Sequence, residues 1–249
     1  MSENLQSYSA KSEVSNLIKR RTRFERIKIA FSKAPISAWF GMAVISIYLF
    51  AAFFAPFIAP HGEAEIFPTA YGPWSEEHLL GTDQIGRDVF SRLIFASRNT
   101  LGICFLSCSI ALIIGTIFGI IAAIDRRYID QFLSRTIDTL MAIPVMIFTF
   151  ILLSVFGPSN LNLILILGVL ESTRFFRISR SVAVGQVVLE YVEVAKLRGE
   201  KFSYIIFKEI LPNIASPLIV EFGVRFIFII FTVSSLSFLG LGIQPPAAD

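Results

Sequence analysis

Two uncharged apolar runs, residues 37–59 and 99–124, constrain this chain more than any other feature of its sequence. Each is longer than the roughly 20 residues that an α-helix needs to cross a hydrocarbon core of about 30 Å. The composition agrees, since 54% of the 249 residues are hydrophobic and 16% are charged, which is far from the usage of soluble domains. Both runs therefore predict helices that span a membrane.

Three more apolar stretches, residues 139–156, 161–178 and 214–242, bring the predicted number of spans to five. The chain is accordingly predicted to be an all-α, polytopic membrane protein whose transmembrane domain covers residues 37–249.

One ion pair is predicted inside the last stretch. Glu221 and Arg225 are four residues apart, so they lie on one face of a helix, where opposite charges partly neutralise each other in a medium that penalises either alone. Two interpretations remain open for this pair. It lines a translocation pathway, or it is a structural pair near the inner interface.

Basic residues predict the orientation of the spans. Residues 1–36 form a basic segment, which the positive-inside rule places in the cytoplasm, and five spans then put the 60–98 segment outside and the 188–213 segment inside. The basic run is expected to set this topology and face lipid rather than bind nucleic acid. Its cationic residues are Lys11, Lys19, Arg20, Arg21, Arg23, Arg26, Lys28 and Lys33.

The sequence offers little that indicates enzymatic chemistry. It contains no G-x-x-x-x-G-K-[ST] phosphate-binding motif, so any nucleotide-driven work needs a partner and the chain is not expected to be an enzyme.

Cys104 and Cys108, one helical turn apart in the second run, are expected to be packing residues rather than a metal or redox pair. Around Asp83 and Asp88 a metal site is weighed against capping and ion pairing, and the latter is favoured because His78 is the only candidate ligand nearby.

The 188–213 segment is a polar interruption between apolar stretches. It predicts a short helix that Gly199 ends, followed by a second short helix over residues 201–210 that Pro212 stops. On the first helix, four residues at helical spacing share one face: Tyr191, Val194, Ala195 and Arg198. On the second helix, the residues that share a face are Phe202, Ile205, Ile206 and Glu209. Such a hairpin suits either an interfacial helix on anionic headgroups or a helix that docks in a groove of a partner.

Three sets of spaced residues resemble a known family. The first set resembles the EAA loop of membrane subunits of bacterial ABC importers: Glu193, Ala195, Gly199, Leu211, Pro212 and Asn213. The second is similar to the outer signature of the dipeptide, oligopeptide and nickel permeases: Gly81, Thr82, Asp83, Gly86, Arg87 and Asp88. The third is the run LSFLGLG at 236–242 with Gln244, Pro245 and Pro246. The combination is most similar to the second permease subunit of such importers.

The resemblance implies a function and a set of partners. It implies import of peptides or similar small solutes across the bacterial inner membrane by ATP-driven alternating access. A second permease subunit would complete a heterodimer, two ATP-binding subunits would use ATP and Mg²⁺, and a periplasmic solute-binding protein would deliver the solute. No cofactor or metal would be bound by this chain itself.

The resemblance also assigns the 188–213 segment a role and leaves alternatives. The segment would be the coupling loop that docks on an ATPase subunit, through Tyr191, Glu193, Ala195, Arg198, Gly199, Leu211, Pro212 and Asn213. Family members normally have six spans where five are predicted here. The alternatives are therefore a truncated, non-transporting remnant or assembly partner, or an importer of nickel or another small solute.

Overall fold

Helices form the regular secondary structure of the chain, as a computed structural model describes it for residues 31–32, 34–125 and 127–248. Within these ranges the β-structure is limited to one isolated bridge between Thr82 and Asp88. The predicted all-α class is confirmed. The basic residues that predict the orientation, Lys11 to Lys33, lie outside the described residues.

The principal helices follow the apolar runs, with some bounds shifted. They are α1 (Ile36–Ile58), α2 (Val89–Ile124), α3 (Tyr128–Ala142), α4 (Val145–Phe156), α5 (Asn160–Val187), α6 (Glu190–Leu197), α7 (Phe202–Tyr204), the π-helical turn Ile205–Ile210, and α8 (Leu211–Phe238).

Among the residues that the structure describes, three helical stretches are long and apolar enough to cross a membrane: α1, α2 and the continuous helical stretch Phe202–Phe238. The helices α3 and α4 meet that condition only as a pair, bent by 86°, which makes up to four spans. The helix α5, which contains the predicted fourth span, is not among them, because Glu171, Arg174 and Arg177 interrupt its apolar residues. The predicted count of five is therefore not confirmed.

The predicted span 139–156 is interrupted near its start. The helix α3 ends at Ala142, and Ile143 is extended, with φ −92° and ψ 129°. Pro144 follows, and the ring of a proline disfavours the helical conformation of the residue before it. The stretch predicted as one span therefore contains the end of α3 and the whole of α4, which are bent by 86° relative to each other.

The chain divides within α1 into two compact units, one up to Tyr48 and one from Leu49 onward. In the first unit the ring of Phe31 lies 5.9 Å from that of Trp39, measured between centroids. All the packing that follows belongs to the second unit.

The helices α2 and α5 make the main contact of the second unit, and small residues bring them together. Every fourth residue along one face of α2 is small and buried: Ser107, Ala111, Gly115, Gly119 and Ala123. A Cβ atom placed on Gly119 would overlap the Ser179 hydroxyl and lie 2.8 Å from the carbonyl oxygen of Phe176 on α5. The Ser179 hydroxyl donates a hydrogen bond to the carbonyl of Gly115, 3.1 Å away. In a lipid environment such close approach stabilises helix pairs through van der Waals contact.

The two cysteines lie in this packed region. Cys104 and Cys108 are both fully buried and unbridged, and the Cys108 thiol is 3.6 Å from the carbonyl oxygen of Phe222 on α8. Their prediction as packing residues is confirmed. The core therefore joins α2, α5 and α8.

Candidate functional sites

The first candidate site is the 188–213 segment, in which α6 ends where the sequence predicts. The amide of Gly199 donates to the carbonyl of Lys196 (3.0 Å), and that of Glu200 donates to the carbonyl of Ala195 (3.2 Å). This pair of bonds is the Schellman motif, which needs a left-handed residue after the helix. Gly199 supplies it, with φ +72°, and an added Cβ atom would meet nothing within 4 Å. Gly199 is thus required for its backbone conformation and not for space within this chain.

The predicted face of α6 is divided between the core and the surface of the chain. Val192 and Ala195 are fully buried in the chain's own core, whereas Val194 is half exposed and Arg198 is exposed. The periodicity of a short helix leaves two neighbouring apolar faces nearly equivalent. Packing against the core selects the one that contains Val192.

The opposite face of α6 is exposed and mixes apolar with charged residues. Leu197 is 81% exposed, between Lys196 and Arg198, which are exposed as well. An isolated large apolar side chain among charges is poorly suited to a lipid acyl environment and suits the edge of a protein contact.

Pro212 does not stop the second helix, contrary to the prediction. The stretch from Phe202 runs through the π-helical turn into α8, with Pro212 in the first turn of α8. In the π-turn the Leu211 amide donates to the carbonyl of Ile206, five residues earlier. The missing N–H of Pro212 removes one backbone hydrogen bond from this continuous stretch, and the wider π-turn accommodates its ring.

Side-chain hydrogen bonds connect the three elements that meet in this segment. The Tyr191 hydroxyl on α6 is 2.7 Å from Gln186 Oε1 at the end of α5. Asn213 Nδ2 on α8 donates to that hydroxyl (3.3 Å) and to the carbonyl of Glu209 (2.6 Å). Burial raises the pKa of Tyr191, so the hydroxyl remains protonated and available as a donor.

The EAA-like residues therefore separate into groups. Tyr191 and Asn213 are hydrogen-bonded to each other, Ala195 is buried, and Leu211 is half-buried. The remainder are exposed: Glu193, Arg198, Gly199 and Pro212.

The second candidate site is a charge cluster of Glu171, Glu221 and Arg225. Arg225 Nε donates to Glu221 Oε1 at 2.6 Å, so the geometry of the predicted pair is as expected from its spacing. Glu171 on α5 was not predicted to belong to it, yet its Oε2 lies 3.9 Å from Arg225 Nη1. Among the described residues Oε2 of Glu171 has no hydrogen-bond partner. Glu171 was missed because only the packing of α5 on α8 brings it near Arg225.

The third candidate site is the folded part of the 60–98 segment that precedes α2. Asp83 Oδ1 accepts from the amides of Ile85 (3.0 Å) and Arg87 (2.9 Å), and Oδ2 accepts from Arg87 Nε (2.8 Å). Burial acts to raise the pKa of Asp83, but these hydrogen bonds and the charge of Arg87 outweigh it, and the pKa is lowered. Asp83 is therefore the centre of a charged turn.

The glycines and Thr82 complete that turn. Gly81 and Gly86 have φ of +74° and +88°, and a Cβ atom on Gly86 would overlap the carbonyl oxygen of Phe67. Thr82 Oγ1 donates to the carbonyl of Thr69 (2.6 Å) and accepts from the amide of Gly72 (2.7 Å). The signature residues thus bring distant parts of the segment into contact.

Asp88 caps α2, as the sequence predicts. Its Oδ2 accepts from the amide of Ser91 at 2.7 Å, and its Oδ1 lies 3.1 Å from His78 Nδ1. The structure adds His61, which was missed because it lies 17 residues before His78 in the sequence. Its ring centroid is 5.1 Å from that of His78.

Comparison with known proteins relates the chain to a family of transport proteins. The family described as "Binding-protein-dependent transport system inner membrane component" matches residues 115–249. The dipeptide transport system permease protein of Alkalihalophilus pseudofirmus is 36% identical over 211 residues, which cover 84% of this chain and 69% of that protein.

Two other relatives are similar over comparable lengths. The di/tripeptide transport system permease protein of Pseudomonas aeruginosa is 30% identical over 216 residues, 84% of this chain and 71% of that protein. The glutathione transport system permease protein of Pectobacterium atrosepticum is 30% identical over 232 residues, 92% of this chain and 76% of that protein.

Proposed function

Since this chain belongs to the family of binding-protein-dependent transport system inner membrane components, we propose that it is a permease subunit of an ABC importer for short peptides. The observation that supports this substrate class is the naming of its relatives, which carry dipeptides, di- and tripeptides, and glutathione. The family is one of transport permeases and not of enzymes. The chain is a multi-pass inner-membrane protein.

The proposed complex needs several other subunits. A second permease subunit pairs with this chain, two ATP-binding subunits supply the energy by using ATP and Mg²⁺, and a solute-binding protein delivers the peptide outside. The N-terminus and the 188–213 segment face the cytoplasm, as the basic residues before α1 predict.

The exposed face of α6 is proposed as the docking surface for an ATPase subunit. Leu197 and Val194 present apolar area that the chain leaves uncovered, and Lys196 and Arg198 flank it with positive charge. This is the helix-in-groove mode of recognition, in which apolar anchors give affinity and the charged rim gives orientation.

Movement of α6 is then transmitted to the helices on either side of it. The contacts of Tyr191 with Gln186 and Asn213 connect α6 to the ends of α5 and α8. The charge cluster joins α5 to α8 farther along their length. We therefore assign Glu171, Glu221 and Arg225 the role of holding α5 and α8 together while access to the peptide site alternates between the two sides.

The decisive experiment changes the exposed face of α6 and leaves the core intact. Leu197→Glu, in the assembled complex in lipid nanodiscs, should abolish the stimulation of ATP hydrolysis by peptide-loaded binding protein, because a carboxylate cannot occupy an apolar groove. Leu197→Met is the matched control and should retain the stimulation. Normal stimulation in Leu197→Glu would refute the docking assignment.

The substrate class has a separate readout. Wild-type complex should respond to binding protein loaded with a dipeptide or tripeptide. Stimulation by a Ni²⁺-loaded binding protein instead would replace the peptide proposal with the small-solute alternative, and absence of any stimulation would favour the non-transporting assembly partner.

A further inference from the structure

The two histidines of the sequence meet in the structure beside a buried carboxylate. His61 and His78 are the only histidines in the chain. A ring nitrogen of each histidine and a carboxylate oxygen of Asp88 all lie within 4.8 Å of one another. Imidazole nitrogens and a carboxylate oxygen form a donor set that suits divalent transition metals, zinc in particular.

The hydrogen bond made by the His61 ring leaves a lone pair on Nδ1, the atom that would bind an ion. His61 Nε2 lies 3.0 Å from the carbonyl oxygen of Glu77, which can only accept, so Nε2 carries the proton. Nδ1 of the neutral ring then bears the lone pair. A backbone carbonyl on the other nitrogen is the usual outer partner of a metal-binding histidine, since it fixes both the tautomer and the ring orientation.

The other two groups are held in place as well. The Asp88 side chain is 1% exposed, and its Oδ2 is fixed by the amide of Ser91, which leaves Oδ1 beside the imidazole of His78. The separation of Oδ1 from His78 Nδ1 is 3.1 Å. Two ligands of one tetrahedral zinc are roughly 3.3 Å apart when each bond is about 2.05 Å long, which is close to this separation. A bound ion takes the place of the proton that His78 Nδ1 donates to Asp88 Oδ1.

A fourth possible ligand atom is close, and an aromatic ring packs on both imidazoles. Glu65 Oε2 lies 4.0 Å from His61 Nδ1 and is held by the amide of Gly62 at 3.0 Å. The ring of Phe67 contacts both histidines, with centroid distances of 4.8 Å to His61 and 4.6 Å to His78. Phe67 limits the motion of the two rings and shields one side of the cluster from water.

We propose that His61, His78 and Asp88 form a binding site for a single divalent transition-metal ion, with Zn²⁺ as the preferred ion. Glu65 or a water molecule completes the tetrahedron after small side-chain rotations that shorten the longer separations. The ion ties the beginning of the 60–98 segment to the first turn of α2. This assignment does not depend on the transported solute.

Zinc binding is tested on the full chain, purified in detergent with an affinity tag that contains no histidine. After treatment with a chelator, Zn²⁺ is titrated in competition with a chromophoric chelator. We expect one Zn²⁺ per chain, and we expect His61→Gln and His78→Gln each to weaken binding by at least about 10-fold. Glu76→Gln removes an exposed carboxylate of the same segment that lies outside the cluster, and it should bind as the wild type does.

Two further measurements separate ligation from loss of structure. Asp88→Asn keeps an N-cap side chain for α2 but removes the charge, so its zinc affinity should fall while Cys104 and Cys108 stay protected from thiol reagents. Co²⁺ in the wild type should give the intense visible bands of a tetrahedral site, and these should be lost in His61→Gln. If wild-type chain shows no saturable Zn²⁺ binding, or if His61→Gln binds unchanged, the cluster is an ordinary ion pair with a stacked histidine and the proposal is overturned.

Discussion

The α2–α5 contact and the 188–213 segment show two opposite uses of glycine and of apolar side chains. In the α2–α5 contact, Gly115 and Gly119 have no side chain, so the two helices can approach closely. Both surfaces of this contact belong to the same chain. In the second, Gly199 provides a left-handed turn in open space, and Leu197 beside it is left uncovered. The first region is packed within the chain and the second leaves apolar area exposed, so substitutions in the two should have different consequences.

The largest effect on stability is expected from Arg225→Met, which removes the guanidinium that contacts both carboxylates of the charge cluster. Glu171 and Glu221 would remain without their partner between packed helices, at a cost of about 3 kcal/mol. Thermal unfolding in detergent, followed by thiol labelling of the buried Cys104 and Cys108, measures the loss.

The matched control for this prediction also removes the carboxylates. The triple variant Arg225→Met, Glu171→Gln and Glu221→Gln should recover most of the lost stability, since no unpaired charge remains. Wild-type stability in Arg225→Met alone would show that the cluster contributes nothing to holding α5 on α8.

The next effect tests the close approach of α2 and α5. Gly119→Val should destabilise the chain by about 2 kcal/mol, because its side chain would overlap Ser179 and the backbone at Phe176. Gly102→Val on the same helix is the control, since an added Cβ atom there meets nothing within 4 Å. Both are compared by the temperature at which the buried thiols become reactive. Equal temperatures for the two variants would contradict the packing account.

A smaller effect is expected at Gly199, where glycine is needed for its left-handed backbone conformation and not for its small volume. Gly199→Ala forces an alanine into the left-handed region, at a cost of about 1 kcal/mol that falls on the end of α6. Global thermal stability should change little, whereas hydrogen exchange at the amides of Gly199 and Glu200 should accelerate about fivefold. Gly185→Ala, at an open helical position, is the control and should not affect this exchange.

The smallest effect is a pH dependence in the 60–98 segment. The pKa of Asp83 in the folded chain lies below its ordinary value of 3.8, so its contribution to stability is complete above that value and is lost as the pH falls through the folded pKa. Because the side chain is partly exposed, the contribution is less than about 1 kcal/mol.

Hydrogen exchange of the amides of Ile85 and Arg87 reports this loss as the pH is lowered below about 4. After correction for intrinsic rates, protection should fall with pH in the wild type and vary less in Asp83→Asn. An identical pH profile in the two proteins would show that Asp83 does not stabilise this turn.

Features that depend on nearby residues were predictable from the sequence. The all-α class, the end of α6 at Gly199, the cap of α2 by Asp88 and the pairing of Glu221 with Arg225 each depend on residues within one or two helical turns. The wrong predictions have a different origin. Pro212 was expected to end a helix because its ring excludes an α-helical neighbour. A π-turn accommodates the ring instead, and the burial of Ile205, Ile206 and Ile210 stabilises that turn.

The sequence by itself determined that this chain belongs in a membrane, since long uncharged runs have no other favourable environment. Only the tertiary structure decided which face of α6 is exposed, that Glu171 approaches Arg225, and that His61 meets His78. These outcomes depend on contacts between residues far apart in the chain, and their energies arise from packing that no local pattern encodes. The exposed face of α6 and the histidine cluster are consequently visible only in the folded protein.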